Sequence, residues 1–252
     1  MTTKLITRRN AIIAGAAALG GLLLVPRRSI QLPPTYGHLL RMGDVFTYSA
    51  QRTLLSGRGL AKEYSHKDIS SFPATGTTNP ANSHDQKSAD AYRRMLATEF
   101  ADWRVSVEGL VSKPGAFSIA DLKRLRSRTQ ITRHSCEEGW SAIAEWTGVP
   151  LSVLLEATGM LPTARIVNFH TFDGWTDGID LLDALHPQTL VAYGMNGSDL
   201  PIQHGAPIRL RVETQVGYKS LKYLTRIVVT DRLSYLEKRG KFKSDWSWHA
   251  GI

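Results

Sequence analysis

A single cysteine, Cys136, stands in 252 residues. One thiol closes no intramolecular disulfide and builds neither a four-cysteine zinc site nor one of two cysteines and two histidines. The fold must therefore be held by a packed core. A hydrophobic fraction of 42% is ordinary for a globular chain and supplies the area for one. For the thiol itself three roles stay open: a buried inert group, a nucleophile, or one thiolate ligand to a metal. Its surroundings, "ITRHSCEEGWSAIAEWTGVPL" (131–151), are polar and aromatic, with Glu137 and Glu138 directly after it and tryptophans at 140 and 146.

The formal net charge is +9, compatible with nucleic acid, an anionic lipid surface or an anionic cofactor as partner. No Lys/Arg run is longer than two and no nucleic-acid-binding motif is present, so nucleic acid is set aside. At the start, Thr7-Arg8-Arg9-Asn10 leads into an uncharged run from Ala11 to Val25. As a helix that run reaches about 22 Å, short of the roughly 30 Å of a bilayer core. A charged start before a short apolar run is an export signal, and the arginine pair resembles the twin-arginine type. That route carries folded proteins, which suits a chain loaded with a redox cofactor before export to the periplasm. No clear Ala-x-Ala cleavage site precedes Arg27, so a retained membrane tether is the alternative.

Three segments are expected: 1–28 as signal or anchor, 29–98 as an irregular extension, and 99–252 as the functional domain. Residues 29–90 read as irregular, with 70–85 a Pro/Gly/Ser/Thr/Asn-rich loop. Helices are predicted over 88–100, 118–125 (Ser N-cap) and 150–159. Strands are predicted over 103–111, 129–136, 164–172, 189–201 with a turn at Asn196-Gly197, 206–214 and 224–231. Residues 173–187 read as a turn and a short helix, and the aromatic tail "DWSWHAGI" as packing on the body. Short strands and helices interleave without a regular βαβ repeat, which predicts a mixed α+β domain.

The stretches "RHSCEEGWSAIAEWTGVPLSVLL", "FHTFDGW" and "LHPQTLVAYGMNGSDLPIQHGAPIRLRVETQVGYKSLKYLTRI" together resemble the sulfite-oxidase-fold molybdopterin oxidoreductases, over about 99–232. Within that superfamily they are most like the catalytic subunits of periplasmic methionine sulfoxide reductases. The resemblance implies a sulfite-oxidase-like fold and a Mo-molybdopterin cofactor whose metal takes one cysteine thiolate, matched by Cys136. It implies a basic environment that lowers the thiol pKa. By the same resemblance Thr171 and His204 contact the pterin, and Arg209 pairs with its phosphate through a two-point fork. Ser220, Leu221 and Lys222 clasp the same phosphate, with successive N–H groups forming an anion nest.

Such a centre transfers an oxygen atom and two electrons, with the cofactor carrying the chemistry. The sulfite-oxidising members resemble one another in having arginines after the ligand cysteine. Here Glu137 and Glu138 stand there, and carboxylates repel a dianion. The expected reaction is therefore reduction of S-oxides or N-oxides such as methionine sulfoxide, small or protein-bound. Glu138 and Trp140 join Cys136 as catalytic candidates, and Trp175 joins Trp140 as an apolar wall. A haem of the Cys-x-x-Cys-His type cannot be built on one cysteine. Electrons are thus expected from a separate partner, a membrane haem subunit or a cytochrome. Sulfite oxidation on the same scaffold and a non-catalytic exported binding protein are the alternatives.

Overall fold

A computed structural model describes residues 40–54, 59–232 and 248–252. The expected export signal lies outside the described residues. Among the described residues no helix is long and apolar enough to cross a membrane. The elements are α1 (Leu40–Leu54), α2 (Gln86–Ala97), β1 (Val105–Gly109), β2 (Gly115–Phe117), α3 (Ile119–Arg124), β3 (Arg128–Ser135), β4 (Ser141–Pro150), α4 (Leu151–Ala157), β5 (Ile166–Thr171), β6 (Thr176–Asp180), α5 (Leu181–Ala184), β7 (Leu190–Met195), β8 (Ser198–Asp199), β9 (Arg209–Arg211) and β10 (Leu224–Thr230).

Two sheets form. One runs β2-β1-β10-β5-β6; the other runs β3-β4-β7-β8 with β9 also paired to β7. Only β1 and β10 pair in parallel, and every other pairing of these strands is antiparallel. This is the mixed α+β class that the interleaving predicts. Val105 and Val107 of β1 and Ile227 and Val229 of β10 enter the main core with Trp103, Tyr92, Phe169, Leu154 and Leu155. A smaller core under the second sheet gathers Ala144, Trp146, Leu190, Ala192 and Met195.

Local signals place several elements. Ser118 caps α3 in a reciprocal box with Asp121. Asp85 caps α2 through Lys87 N–H, and its buried face carries Ala89 and Tyr92. Asn196, at φ 51°, and Gly197, at φ 78°, make the β7–β8 turn as expected.

Other expectations are corrected. Periodicity leaves β4 unassigned, because the strand is buried on both faces and shows no alternation. The strand β6, "TDGID", contains poor strand formers and reads as a turn; pairing with β5 from Asn168↔Gly178 outward holds it extended. The strand expected over 206–214 shrinks to Arg209–Arg211, since Pro207 has no N–H for the ladder.

Residues 40–54, expected to be irregular, form α1. That helix is fixed by tertiary contacts. Arg52 reaches Asp180 at 2.9 Å and Asp183 at 2.5 Å, and Tyr48 Oη donates to Asp180 at 2.8 Å. Trp248 of the tail is buried against Tyr48, and Val216 N–H donates to Ala250 O. The end of the tail therefore packs on the body. Arg52→Met leaves two buried carboxylates without their cation, so a loss of about 3–5 kcal/mol is expected in a denaturant titration. A loss under about 1 kcal/mol contradicts this docking of α1.

Candidate active site

The strands β3 and β4 form a hairpin, paired from Arg128↔Gly148 to Ser135↔Ser141. Cys136 opens its tip. Its N–H donates to Trp140 O at 2.9 Å, and Gly139 N–H returns to Cys136 O at 3.1 Å. Gly139 has φ 89°, a conformation that glycine adopts without strain. The turn thus fixes the thiol where the strand ends, on the same face as His134 two residues earlier. Burial pushes the Cys136 thiol above its ordinary pKa, a backbone hydrogen bond from Glu138 opposes the rise, and the Glu137 carboxylate adds to it. The expectation of a basic setting that lowers it is corrected: the residues nearest in the turn are acidic. Metal ligation deprotonates a thiol by itself.

Cys136 faces a cavity of about 290 Å³, at the lower end of ligand pockets. All the residues singled out in the sequence line it: Cys136, Glu138, Trp140, Thr171, Trp175, His204, Arg209, Ser220, Leu221 and Lys222. They come from the β3–β4 turn, the β5–β6 turn, the 3-10 turn Ile202–His204, β9 and the segment before β10.

One wall of the cavity is built for an anion. Arg209 is buried, and its fork donates to His204 O at 2.8 Å and Ser220 O at 2.7 Å. Burial, with Arg211 alongside, pulls its guanidinium down to about 9. Lys222 Nζ donates to the carbonyls of Thr75 (2.8 Å), Gln203 (3.1 Å) and Thr77. Burial and then Arg209 pull this ammonium down to about 8, against an opposing pull from Asp173. Among the described residues neither cation meets a carboxylate at ion-pair distance. The N–H groups of Leu221 and Lys222 likewise meet no acceptor among the described residues. Two destabilised cations and two free N–H donors on one wall fit a phosphate. Ser220 departs from the expected nest: its N–H closes the 3-10 turn onto Gly217 O, and its Oγ accepts from Val212 N–H.

The other residues have their own partners. The Thr171 hydroxyl donates to Asp173 at 2.6 Å and accepts from Trp175 N–H at 2.8 Å, which shapes the β5–β6 turn. His204 is held near 4 by burial and by Arg209 and Lys222, so it is neutral. Glu138 is exposed and accepts from Trp140 Nε1 at 3.2 Å, which orients the indole. Trp175 stands at the mouth, 41% exposed.

Part of the long loop expected over 70–85 lines the cavity, and other residues in or behind it are not among the expected site residues. The loop Phe72–Thr77 covers one side of the cavity, gripped by Lys222 and by Tyr223 Oη, which donates to Thr77 O. Lys219, buried behind the site, pairs at 2.6 Å with the half-buried Asp177, which lines it. Arg211, two residues after Arg209, stacks with it over the Trp146 ring, their guanidinium carbons 4.3 and 5.0 Å from its centroid. Here a signal does exist, in "RLRVE", where charges fall at alternate positions of an otherwise apolar strand.

The donor set also constrains a metal. Among the described residues no group of three or more His, Cys, Asp or Glu could hold one. Among the described residues Cys136 can supply one sulfur, which leaves a metal's other positions to ligands from outside the chain. An anionic organic ligand anchored at Arg209 and Lys222 and reaching the thiol satisfies both halves of the cavity.

The packing behind the cavity and the charge on its wall can each be tested. A Cβ on Gly217 would collide with Cε1 and Nε2 of His134. Gly217→Ala should cost about 1–3 kcal/mol by thermal or chemical unfolding; a neutral substitution contradicts the packing. Inorganic phosphate binding by calorimetry should weaken as pH rises through about 8. Lys222 carries its charge below that pH and loses it above, with Arg209 and Asp173 the charges facing it. Affinity should fall by up to about tenfold per pH unit there, and a flat profile from about pH 7 to 9 contradicts the role of Lys222.

Comparison with known proteins agrees with this cavity. Residues 93–235 match the family model described as "Oxidoreductase molybdopterin binding domain". A protein of Azospira oryzae, provisionally named protein-methionine-sulfoxide reductase subunit YedZ1, is 33% identical over 245 residues, 96% of this chain and 87% of the relative. The protein-methionine-sulfoxide reductase catalytic subunit MsrP of Xanthomonas axonopodis pv. citri is 34% identical over 57% of this chain and 50% of its own length. The crystal structure of the sulfane dehydrogenase SoxCD from Paracoccus pantotrophus superposes with a TM-score of 0.51 at 25% identity, over 56% of this chain and 42% of that one. The chain belongs to the molybdopterin-binding oxidoreductase family, and it is an oxidoreductase whose cofactor is Mo-molybdopterin.

Proposed function

We propose that this chain is the catalytic subunit of an oxygen-transfer enzyme that reduces S-oxides, with methionine sulfoxide in proteins as the leading substrate. The observation that carries the reading is the composition of the cavity mouth beside Cys136. Trp140, Trp175 and Phe72 offer apolar and aromatic surface, and Glu137 and Glu138 are exposed there. A neutral sulfoxide with apolar substituents suits that mouth; a sulfite dianion meets like charge. The names of the Azospira and Xanthomonas relatives support the same substrate class.

In this reading Cys136 ligates the metal, and Arg209, Leu221 and Lys222 hold the pterin phosphate with Ser220 as a backbone prop. Thr171 and His204 line the pterin, and Trp140, oriented by Glu138, positions the substrate. The bound cofactor supplies two-electron oxygen transfer. In net terms a sulfoxide, a pair of protons and a pair of electrons give a thioether and a water molecule, so electrons must be delivered. A partner subunit supplies them, by our proposal a membrane haem protein or a cytochrome. We place the enzyme in the periplasm, exported folded through the Arg8-Arg9 signal and tethered if that segment is retained.

The test is a paired assay on cofactor-loaded protein. Viologen-linked reduction of methyl sulfoxides should proceed, and sulfite-dependent reduction of cytochrome c should be at background. The reverse pattern assigns sulfite oxidation, and loaded protein inactive in both assays rejects the substrate class.

A further inference from the structure

His134 and Arg211 share a contact that defines a donor facing the cavity. Arg211 Nη1 lies 2.7 Å from His134 Nδ1. A guanidinium donates and never accepts, so Nδ1 must be the acceptor and carries no proton. The imidazole then carries its proton on Nε2. The contact is held from behind. Arg211 donates to Glu213 through Nε at 3.1 Å and Nη2 at 2.7 Å, in the two-point geometry of an arginine–carboxylate pair. Gln130 Nε2 adds a donor to the same carboxylate at 3.1 Å and another to Gln188 O at 2.9 Å. All of these side chains are buried.

The ring is also fixed in orientation. Phe72 and Trp140 lie 5.1 and 5.5 Å from its centroid, and Gly217 packs so closely that no side chain fits against Cε1 and Nε2. Among the described residues Nε2 meets no acceptor. His134 lines the same cavity as Cys136.

We propose that His134 is a catalytic hydrogen-bond donor: a neutral imidazole that presents Nε2–H to the oxygen of the S-oxide, with Arg211 and Glu213 as positioning residues that fix this tautomer. The proposal rests on the functional reading above and extends it to the group that recognises the transferred oxygen. A sulfoxide oxygen is a strong acceptor, and a fixed donor stabilises the charge that grows on it as the bond to sulfur breaks. The buried Arg211–Glu213 pair thus holds the ring from behind, while the same guanidinium stacks with Arg209 over Trp146.

The test combines ring spectroscopy with kinetics on the cofactor-loaded enzyme. In protein labelled with ¹⁵N-histidine, two-bond proton–nitrogen correlations should show His134 with a protonated Nε2 and a pyridine-like Nδ1, assigned by the loss of its signals in His134→Gln. The Arg211→Met/Glu213→Gln double variant removes the pair without leaving a lone buried charge, and should lose that single-tautomer pattern; Arg211→Lys, which keeps a donor, should retain it. His134→Phe should lower kcat for methyl sulfoxides by about 100-fold or more with a smaller change in KM. His134→Gln, which keeps an N–H donor, should recover part of kcat.

A proton on Nδ1 in the wild type, or an unchanged kcat in His134→Phe, overturns the proposal. If the wild type turns over no S-oxide, the functional reading falls and the substrate half of the proposal with it. The ring spectrum then still decides the tautomer.

Discussion

Replacing Cys136 by serine is expected to lower sulfoxide turnover by more than about 100-fold while leaving the fold intact. Loss of a group that merely orients a metal ligand typically costs about 10–100-fold, and loss of the ligand should exceed that. Stability should hardly change. The thiol stands at a hairpin tip, and its hydrogen-bonding contacts are local, with the Glu137 carboxylate at 3.5 Å and the Glu138 backbone. The hairpin is closed by backbone bonds that serine keeps. Turnover and the thermal midpoint, measured on the same preparation, separate the two roles of a buried cysteine. Unchanged turnover with a lowered midpoint is the signature of packing alone and contradicts metal ligation.

Replacing Arg209 by methionine is expected to empty the site. The guanidinium is the most deeply buried cation of the anion-binding wall, and its fork also ties His204 to Ser220. In the cofactor-free chain its charge is disfavoured, which is why its pKa falls to about 9. A bound phosphate reverses that by supplying the missing counter-charge. Removing one partner of a buried charge pair costs about 2–5 kcal/mol, so pterin affinity should fall by about 30-fold or more. Pterin fluorescence of the purified variant, normalised to folded protein, measures this. Full retention contradicts the assignment of Arg209 to the phosphate.

Cys136 and Arg209 are legible in the sequence because their neighbours form recognisable local strings, and the structure brings both to one cavity. Ser220 is legible as a position but not as a donor, because its N–H is consumed by a 3-10 turn that spacing does not disclose. His134 and Arg211 are 77 residues apart, and neither gives a local sign of the other. Asp177 and Lys219 likewise meet only because β6 runs beside the turn that carries the lysine.

The same limit applies to the fold. Where one face is buried and the other wetter, as in β1, alternation announces the strand. Where both faces are buried, as in β4, the periodic signal vanishes although the strand spans ten residues. The helix α1 is fixed by Arg52 and Tyr48 reaching Asp180 and Asp183, about 130 residues away.

The central claim is that Cys136 and the Arg209–Lys222 wall hold one Mo-molybdopterin between them. The most direct measurement is joint metal and pterin analysis of the full chain purified from a host that makes the cofactor. The expected result is molybdenum and pterin in equal amounts, close to one of each per folded chain. A correctly folded, colourless protein containing neither would contradict the account.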